Sequence, residues 1–380
     1  MKIAFVSIAD SSHLTPSSQH SYFLAKALRD QGVELELISP LEMHESAFLW
    51  TARKLSRLFL GRRILPNREP SIVQDLARQV ERKLERSSCD IVFGHGTIPL
   101  SLLQTKKPVV FWSDATFAGM VDFYPSFSRL SARSLHYGNQ FERMAIARSA
   151  LAIYASEWAR KTCIEAYGAD PARVVFIPYG ANLEAVPDAE EVRAAIRART
   201  MRPCRLLFIG QDWERKNGAA AIRLAGELNR RGLPTVLTLF GSTPGRKGRL
   251  PPYVRVLGKI NKTVEGQIRL FSETMLDTHF LVLPTLADTN PRVLNEANAC
   301  GVPCIATNVG GIGSVIQDSV NGYLFPPDAA FPARAADCIL QVMASEKGYR
   351  DLARGAYSMY STTNNWTASG KKVIALLGRL

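Results

Sequence analysis

No run of apolar residues in this 380-residue chain approaches the 18 or so that would span a bilayer. Cysteine is scarce. The six residues (89, 163, 204, 300, 304 and 338) are too scattered for a disulfide framework, and no histidine lies beside Cys300 and Cys304 to complete a zinc site. The histidines are equally dispersed, so a structural metal is not expected and the cysteines read as small buried hydrophobes. Glycine (26) and proline (21) stay near ordinary usage, which excludes collagenous and low-complexity chains. The opening Met1–Ala9 run breaks at Asp10, too short for a signal-peptide core, and reads as a buried strand. A cytoplasmic protein of two domains is the expectation.

What the chain does have is apolar mass and positive charge. Hydrophobic residues are 46% and charged ones 21%, enough to bury a core. Lysine and arginine total 47 against 34 acids, a net +13 that suits an anionic small molecule, a membrane surface or, less specifically, nucleic acid. Nucleic acid is not an expected partner, because no aromatic–basic interleaving or reading motif accompanies the charge. Two concentrations stand out. Arg53 to Arg86 holds ten basic residues and four acids, and the stretch Arg246, Lys247, Arg249, Arg255, Lys259, Lys262 holds no acid.

Short apolar runs alternate with helical spacing along both halves. In the first half they fall at Lys2–Ile8, Val33–Ile38, Ile91–Phe93, Val109–Trp112, Leu151–Tyr154 and Val174–Ile177, with helices over Ser18–Gln31, Phe141–Ser149 and Ser156–Tyr167. After the alanine-rich Glu184–Thr200 the pattern repeats, with strands at Leu206–Ile209, Thr235–Phe240, Val254–Leu257, Phe280–Leu283 and Cys304–Ala306. Such alternation without hairpin signals predicts parallel sheets covered on both faces. The fold class is α/β: two Rossmann-like doubly wound domains facing an interdomain cleft, residues 1–183 and 184–361, with a terminal helix near 362–380 returning to the first.

The segment Leu283 to Pro303 carries the most chemistry. A buried strand ends in the polar loop Asp288-Thr289-Asn290, and a helix is predicted from Asn290 as N-cap with Pro291 at its first position. Its free N–H groups suit a diphosphate. Glu296, more than a turn inside, is placed to accept from the two hydroxyls of a ribose, and Asp288 to hold sugar hydroxyls. On residue type alone, Glu296 reads equally as a solvent-facing carboxylate and Asp288 as a turn former.

The segment resembles the donor-binding signature of the large retaining, nucleotide-sugar-dependent glycosyltransferase family 4, which has the GT-B fold. Two carboxylates, Asp288 and Glu296, flank a seven-residue gap, followed by Asn298-Ala299-Cys300-Gly301-Val302-Pro303. The family usually has Glu at the first position, so Asp288 is one methylene short. Phe208 to Gly218 is similar to the strand–Gly–Arg…Lys–Gly element whose two cations clamp the donor diphosphate. Gly210 and Lys216 match, Gln211 stands where the arginine usually is, and Arg215 or Arg292 is the expected substitute. By charge alone Arg215 and Lys216 also read as a solvated helix start, although cations there oppose the helix dipole. Val309-Gly310-Gly311-Ile312 resembles the family's glycine turn, and Ile177 to Leu183 its crossover. Ile260 lies near where the family holds the nucleobase.

In the first half the loop Asp10–His20 lacks the family's glycines, leaving Ser17 and Ser18 to supply N–H and hydroxyl groups. Asp114, in the segment Val109 to Thr116 where a buried strand ends in a polar tip, resembles the position that presents a His or Asp to the reacting sugar, and His95 in Phe93-Gly94-His95-Gly96 is the alternative. Asp114 also reads as a helix or turn cap. The resemblance implies retaining transfer, of hexosyl type, from a nucleoside diphosphate sugar to a glycan, lipid-linked or small-molecule acceptor. Asp114, Lys216 and Asp288 would be catalytic, and Gly210, Gln211, Arg215, Lys216, Ile260, Asp288, Thr289, Asn290, Pro291, Arg292 and Glu296 would bind the donor. No cofactor and no metal are expected, since no Asp-X-Asp element is present. Residues 53–86 read either as a solvated helix face or as a peripheral contact with the inner face of a membrane. An epimerase or hydrolase on the same scaffold and a non-catalytic nucleotide-sugar binder are the rival readings.

Overall fold

Ile3 to Val6 is fully buried, as a strand inside a parallel sheet covered on both faces must be. This computed structural model, which describes residues 1–241 and 250–380, divides into two units, Met1–Pro178 with Trp366–Leu380, and Tyr179–Asn365.

The first unit is a six-stranded parallel sheet of β1 (Lys2–Val6), β2 (Glu34–Ile38), β3 (Ile91–His95), β4 (Val109–Ser113), β5 (Leu151–Tyr154) and β6 (Val174–Phe176), in the order β2-β1-β3-β4-β5-β6. Its helices are α1 (Gln19–Arg29), α2 (Ala47–Phe59), α3 (Pro70–Leu84), the short α4 (Phe117–Met120), α5 (Ala132–Arg148) and α6 (Glu157–Tyr167). The expected 141–149 helix is the second half of α5. Of the basic region 53–86, α3 buries Ile72, Val73, Leu76 and Val80 in the core and leaves Arg78, Arg82 and Lys83 exposed on its other face.

The second unit is another six-stranded parallel sheet. It contains β7 (Cys204–Gly210), β8 (Thr235–Gly241), β9 (Val254–Gly258), β10 (Phe280–Leu283), β11 (Cys304–Thr307) and β12 (Gly322–Phe325), ordered β12-β11-β10-β7-β8-β9. Around it lie α7 (Ala189–Ala198), α8 (Gly218–Arg230), α9 (Glu265–Asp277), α10 (Val293–Ala299), α11 (Phe331–Met343) and α12 (Glu346–Thr362). Helix α7 grows from the alanine-rich stretch because Asp188 and Glu191 close a capping box on it. The final helix α13 (Trp366–Leu377) belongs to the first unit. Trp366 stacks on Phe23 at 6.4 Å, and Gly370 lies so close to Ala27 that an added Cβ would sit 2.4 Å from its carbonyl oxygen.

The units join between Pro178 and Tyr179, ahead of the 183–184 boundary read from the sequence. Asn295 ties Tyr179 to the second unit by donating to its carbonyl at 2.8 Å. One further side chain sets the frame of that unit. The buried Arg199 guanidinium donates to the carbonyls of Cys300 (2.8 Å), Gly301 (2.6 Å) and Leu276 (2.9 Å), so a cation closes the C-terminal end of α10.

Candidate functional site

The sheet order of the second unit reverses between β7 and β10, so the chain leaves these neighbouring strands in opposite directions. That switch point is where open α/β sheets hold ligands, beyond the carboxyl ends of the strands. The loops that follow β7 and β10 carry the residues of interest. Strand β7 ends at Gly210, where a side chain has no room: a Cβ would lie 2.9 Å from Cγ of Lys216. The glycine lets the lysine stem lie across the strand end. Asn217, in the left-handed region at φ 53°, then turns the chain into α8.

Lys216 is buried and its ammonium meets the Asp288 carboxylate directly. Arg215 Nη1 donates to the Ala287 carbonyl at 2.7 Å and reaches Asp288 at 3.6 Å, while its backbone carbonyl accepts from Leu286 N–H and the Thr285 hydroxyl. Burial pulls Lys216 below the ordinary lysine range; the Asp288 carboxylate opposes this, and the Arg215 and Arg292 charges add to it. Two cations therefore converge on one carboxylate, and the charge of a third, Arg292, reaches Lys216. Asp288, expected beside the donor sugar, is the counter-ion of Lys216 in this structure. Gln211 is exposed.

The helix start differs from expectation. Helix α10 begins at Val293 with Arg292 as its N-cap, and Asn290 and Pro291 form the buried turn before it. This turn is organised through its backbone: Pro291 carbonyl accepts from Leu294 N–H at 3.0 Å, and Asp288 carbonyl from Gly311 N–H at 3.2 Å. The glycine turn thus supports the loop. Thr289 is buried within it, and Arg292 lies over the Tyr179 ring at 5.6 Å. Glu296 falls in the first helical turn rather than beyond it, and its Oε1 is 2.5 Å from Lys262 Nζ. Lys262 also stands over the Phe271 ring at 4.6 Å, and Ile260 packs into the same core. Of the acid-free basic stretch, Arg246, Lys247 and Arg249 lie outside the described residues.

In the first unit Asp114 and His95 line one cavity of about 130 Å³, at the ends of adjacent strands β4 and β3. Asp114 is not the cap of the following helix; Thr116 is, accepting from Gly119 N–H. The cavity is also lined by two groups that residue spacing did not mark. Glu142 is pushed up by burial and accepts from the Thr97 hydroxyl at 2.7 Å, and Arg68 is pulled down by burial. Ser18 does not present its groups to a ligand. Its hydroxyl donates to the His13 carbonyl, and its N–H is held by Thr15; Ser17 stays exposed.

Residues 17–185 match the profile of Glycosyltransferase Family 4, and residues 203–345 that of Glycosyl transferases group 1. This chain belongs to the family 4 glycosyltransferases. Among its relatives are the D-inositol 3-phosphate glycosyltransferases of Paenarthrobacter aurescens, 26% identical over 195 residues, and of Acidothermus cellulolyticus, 27% over 210. The matches take in 50 and 51% of this chain and 47 and 45% of those proteins, about half their length. Sucrose-phosphate synthase from Thermosynechococcus elongatus superposes with a TM-score of 0.68 at 15% identity, covering 100% of this chain and 98% of that one. Anabaena HepE in complex with UDP does so at 0.65 and 15%, covering 100% of both. These likenesses show the GT-B fold.

Against the family pattern, Lys262 is the residue that the sequence hid. Six cations without an intervening acid gave no reason to choose it, and only the packing against Phe271 brings it to Glu296. Among the described residues no three His, Cys, Asp or Glu side chains cluster as metal ligands, and no helix is long and apolar enough to cross a membrane.

Proposed function

We propose that this family 4 member transfers a hexosyl group from a nucleoside diphosphate sugar to an acceptor hydroxyl with retention of configuration. The observation that carries this reading is the gathering of three cations at the switch point between β7 and β10: Lys216 and Arg215 meet on the Asp288 carboxylate, Arg215 also pairs with Asp212 at 3.3 Å, and the Arg292 charge acts on Lys216. A site with more fixed positive charge than it neutralises internally suits a diphosphate. As the sugar C1–O bond breaks, its electron pair stays on the departing phosphate, and preorganised cations stabilise the charge that develops there.

Glu296 is assigned to the ribose hydroxyls, with Lys262 holding its carboxylate in place, and Ile260 to one wall of the nucleobase site. In the first unit, Asp114 and His95 are assigned to the reacting sugar or the acceptor because they share a cavity. A hexose is chosen because HepE, which has the same fold, is described in complex with UDP-glucose. Retention rests on the family resemblance. The deciding experiment incubates the protein with UDP-sugars and follows release of UDP with and without added acceptors. Acceptor-dependent release supports transfer. Tight UDP-sugar binding with neither transfer nor slow hydrolysis would leave a binding protein, the reading that exposed Gln211 and the internally neutralised Lys216 favour.

A further inference from the structure

Helix α2 carries an apolar side that the protein does not cover. Ser56 is buried and Leu49 packs against the core, which fixes the inward face. Phe48, Leu55 and Phe59 recur at i, i+7 and i+11 on another face, with Leu58 beside them, and Phe48, Leu58 and Phe59 are 83, 76 and 74% exposed. Leu60, which follows, is 72% exposed. Large apolar side chains gathered this closely mark an interaction surface, unlike isolated exposed leucines.

The neighbouring flank is cationic. Trp50, Arg53, Lys54 and Arg57 share it at i, i+3, i+4 and i+7. From Ser46 to Arg68 there are six basic residues and no acid. Arg53 is paired with Glu45 at 2.7 Å, and the Lys54 ammonium stands 3.6 Å over the Trp50 ring. Beside this flank is a cavity of about 330 Å³ lined by Trp50, Arg53, Lys54, Arg57 and Arg63.

We propose that α2 is an interfacial helix that seats the chain on an anionic bilayer, its Phe48–Leu55–Phe59 stripe entering the headgroup–acyl boundary and the adjacent cavity taking a lipid phosphate. Each half of the surface has a place in this arrangement. Apolar side chains enter the boundary region, the tryptophan and cations sit at headgroup level, and a 13-residue helix is the wrong length to span but ample to lie flat. A second copy of the chain fits less well, because stripe-to-stripe pairing would bring two acid-free cationic segments together. A nucleic acid would match the cations and leave the stripe in water. The inference is independent of the transferase reading.

Flotation of the full chain with vesicles tests it. The protein should float with phosphatidylcholine–phosphatidylglycerol vesicles and remain behind with pure phosphatidylcholine. Leu58→Glu/Phe59→Glu should lower partitioning at least tenfold, and Arg57→Ala about fivefold at low salt, the share of one cation near an anionic surface. Both variants change exposed positions, so they should keep wild-type circular dichroism and wild-type UDP affinity. That result separates loss of membrane binding from loss of the donor site. Equal partitioning into both vesicle types, or unchanged partitioning of Leu58→Glu/Phe59→Glu, would overturn the proposal. So would sedimentation showing a dimer that the double variant dissolves, together with no vesicle binding by the wild type.

Discussion

Exchanging Asp288 for asparagine should weaken the fold and tighten the binding of a nucleoside diphosphate. The carboxylate contacts Lys216 and lies 3.6 Å from Arg215, and the side chains of Lys216 and Asp288 are only 11 and 9% exposed. Removing one partner from a buried pair costs about 3–5 kcal/mol. Asparagine keeps an oxygen for the lysine to donate to, so the loss should sit at the lower end of that range. For the ligand the sign reverses. A diphosphate entering the wild-type site competes with Asp288 for Lys216, and a charge-assisted hydrogen bond is worth roughly 1.5–3 kcal/mol. Recovering about 1.4 kcal/mol of it would lower Kd tenfold. Lys216→Met destabilises too, yet removes the donor itself and should raise Kd tenfold to a hundredfold. Calorimetric titration with UDP alongside urea unfolding measures both quantities. If Asp288→Asn weakened UDP binding as much as Lys216→Met, the carboxylate would be touching ligand and the counter-ion assignment would be wrong.

The other expectations are simpler. Glu296→Ala should weaken UDP binding at least tenfold, since the two charge-assisted hydroxyl contacts proposed for it would be lost, while Lys262→Met should give a smaller loss; equal losses on titration would make Lys262 a ligand contact in its own right. Transfer activity should survive excess EDTA if Lys216, Arg215 and Arg292 supply the charge as proposed; a collapse restored by manganese would show that an ion does so instead. His279 is lowered to about 3 by burial, first of all, and by the Arg205 and Arg199 charges. Its Nδ1 accepts from Arg205 N–H and its Nε2 donates to the Thr200 carbonyl, a neutral ring. Its contribution is therefore full above the unfolded value near 6.5 and is lost as pH falls from there toward 3, about 2 kcal/mol between pH 7 and 5. Urea midpoints measured across that range should fall in the wild type and flatten in His279→Gln.

The fold could be read from the sequence where strands were long and buried, because a parallel sheet imposes apolar runs such as Leu206–Ile209 and Phe280–Leu283. Strand β12 escaped notice: Gly322 to Phe325 is a short edge strand on which burial imposes no pattern. Within the site, Lys216 and Glu296 stood out through their place in a motif, and the ordered loops after β7 and β10 brought the expected cations together. Their partners did not stand out. Which carboxylate neutralises Lys216, and which of six lysines and arginines reaches Glu296, depends on packing between segments far apart in the chain. The same holds for Glu142, which sits in a helix between Phe141 and Ala145 and looks like any other helical glutamate until the cavity is seen.

Helix α10 is aimed from behind. Its front end carries Arg292 and Glu296, but the guanidinium of Arg199 grips the carbonyls of Cys300 and Gly301 at the opposite end. A short rigid rod held at its rear passes any small rotation to its tip. Drift at residue 199, or in the Leu276 and Tyr349 groups that share its hydrogen bonds, would therefore re-aim the glutamate without altering any residue proposed to bind the donor. Two proteins identical at every donor contact can then differ in which nucleotide they prefer, and the difference would be found among residues that a comparison of binding pockets leaves out.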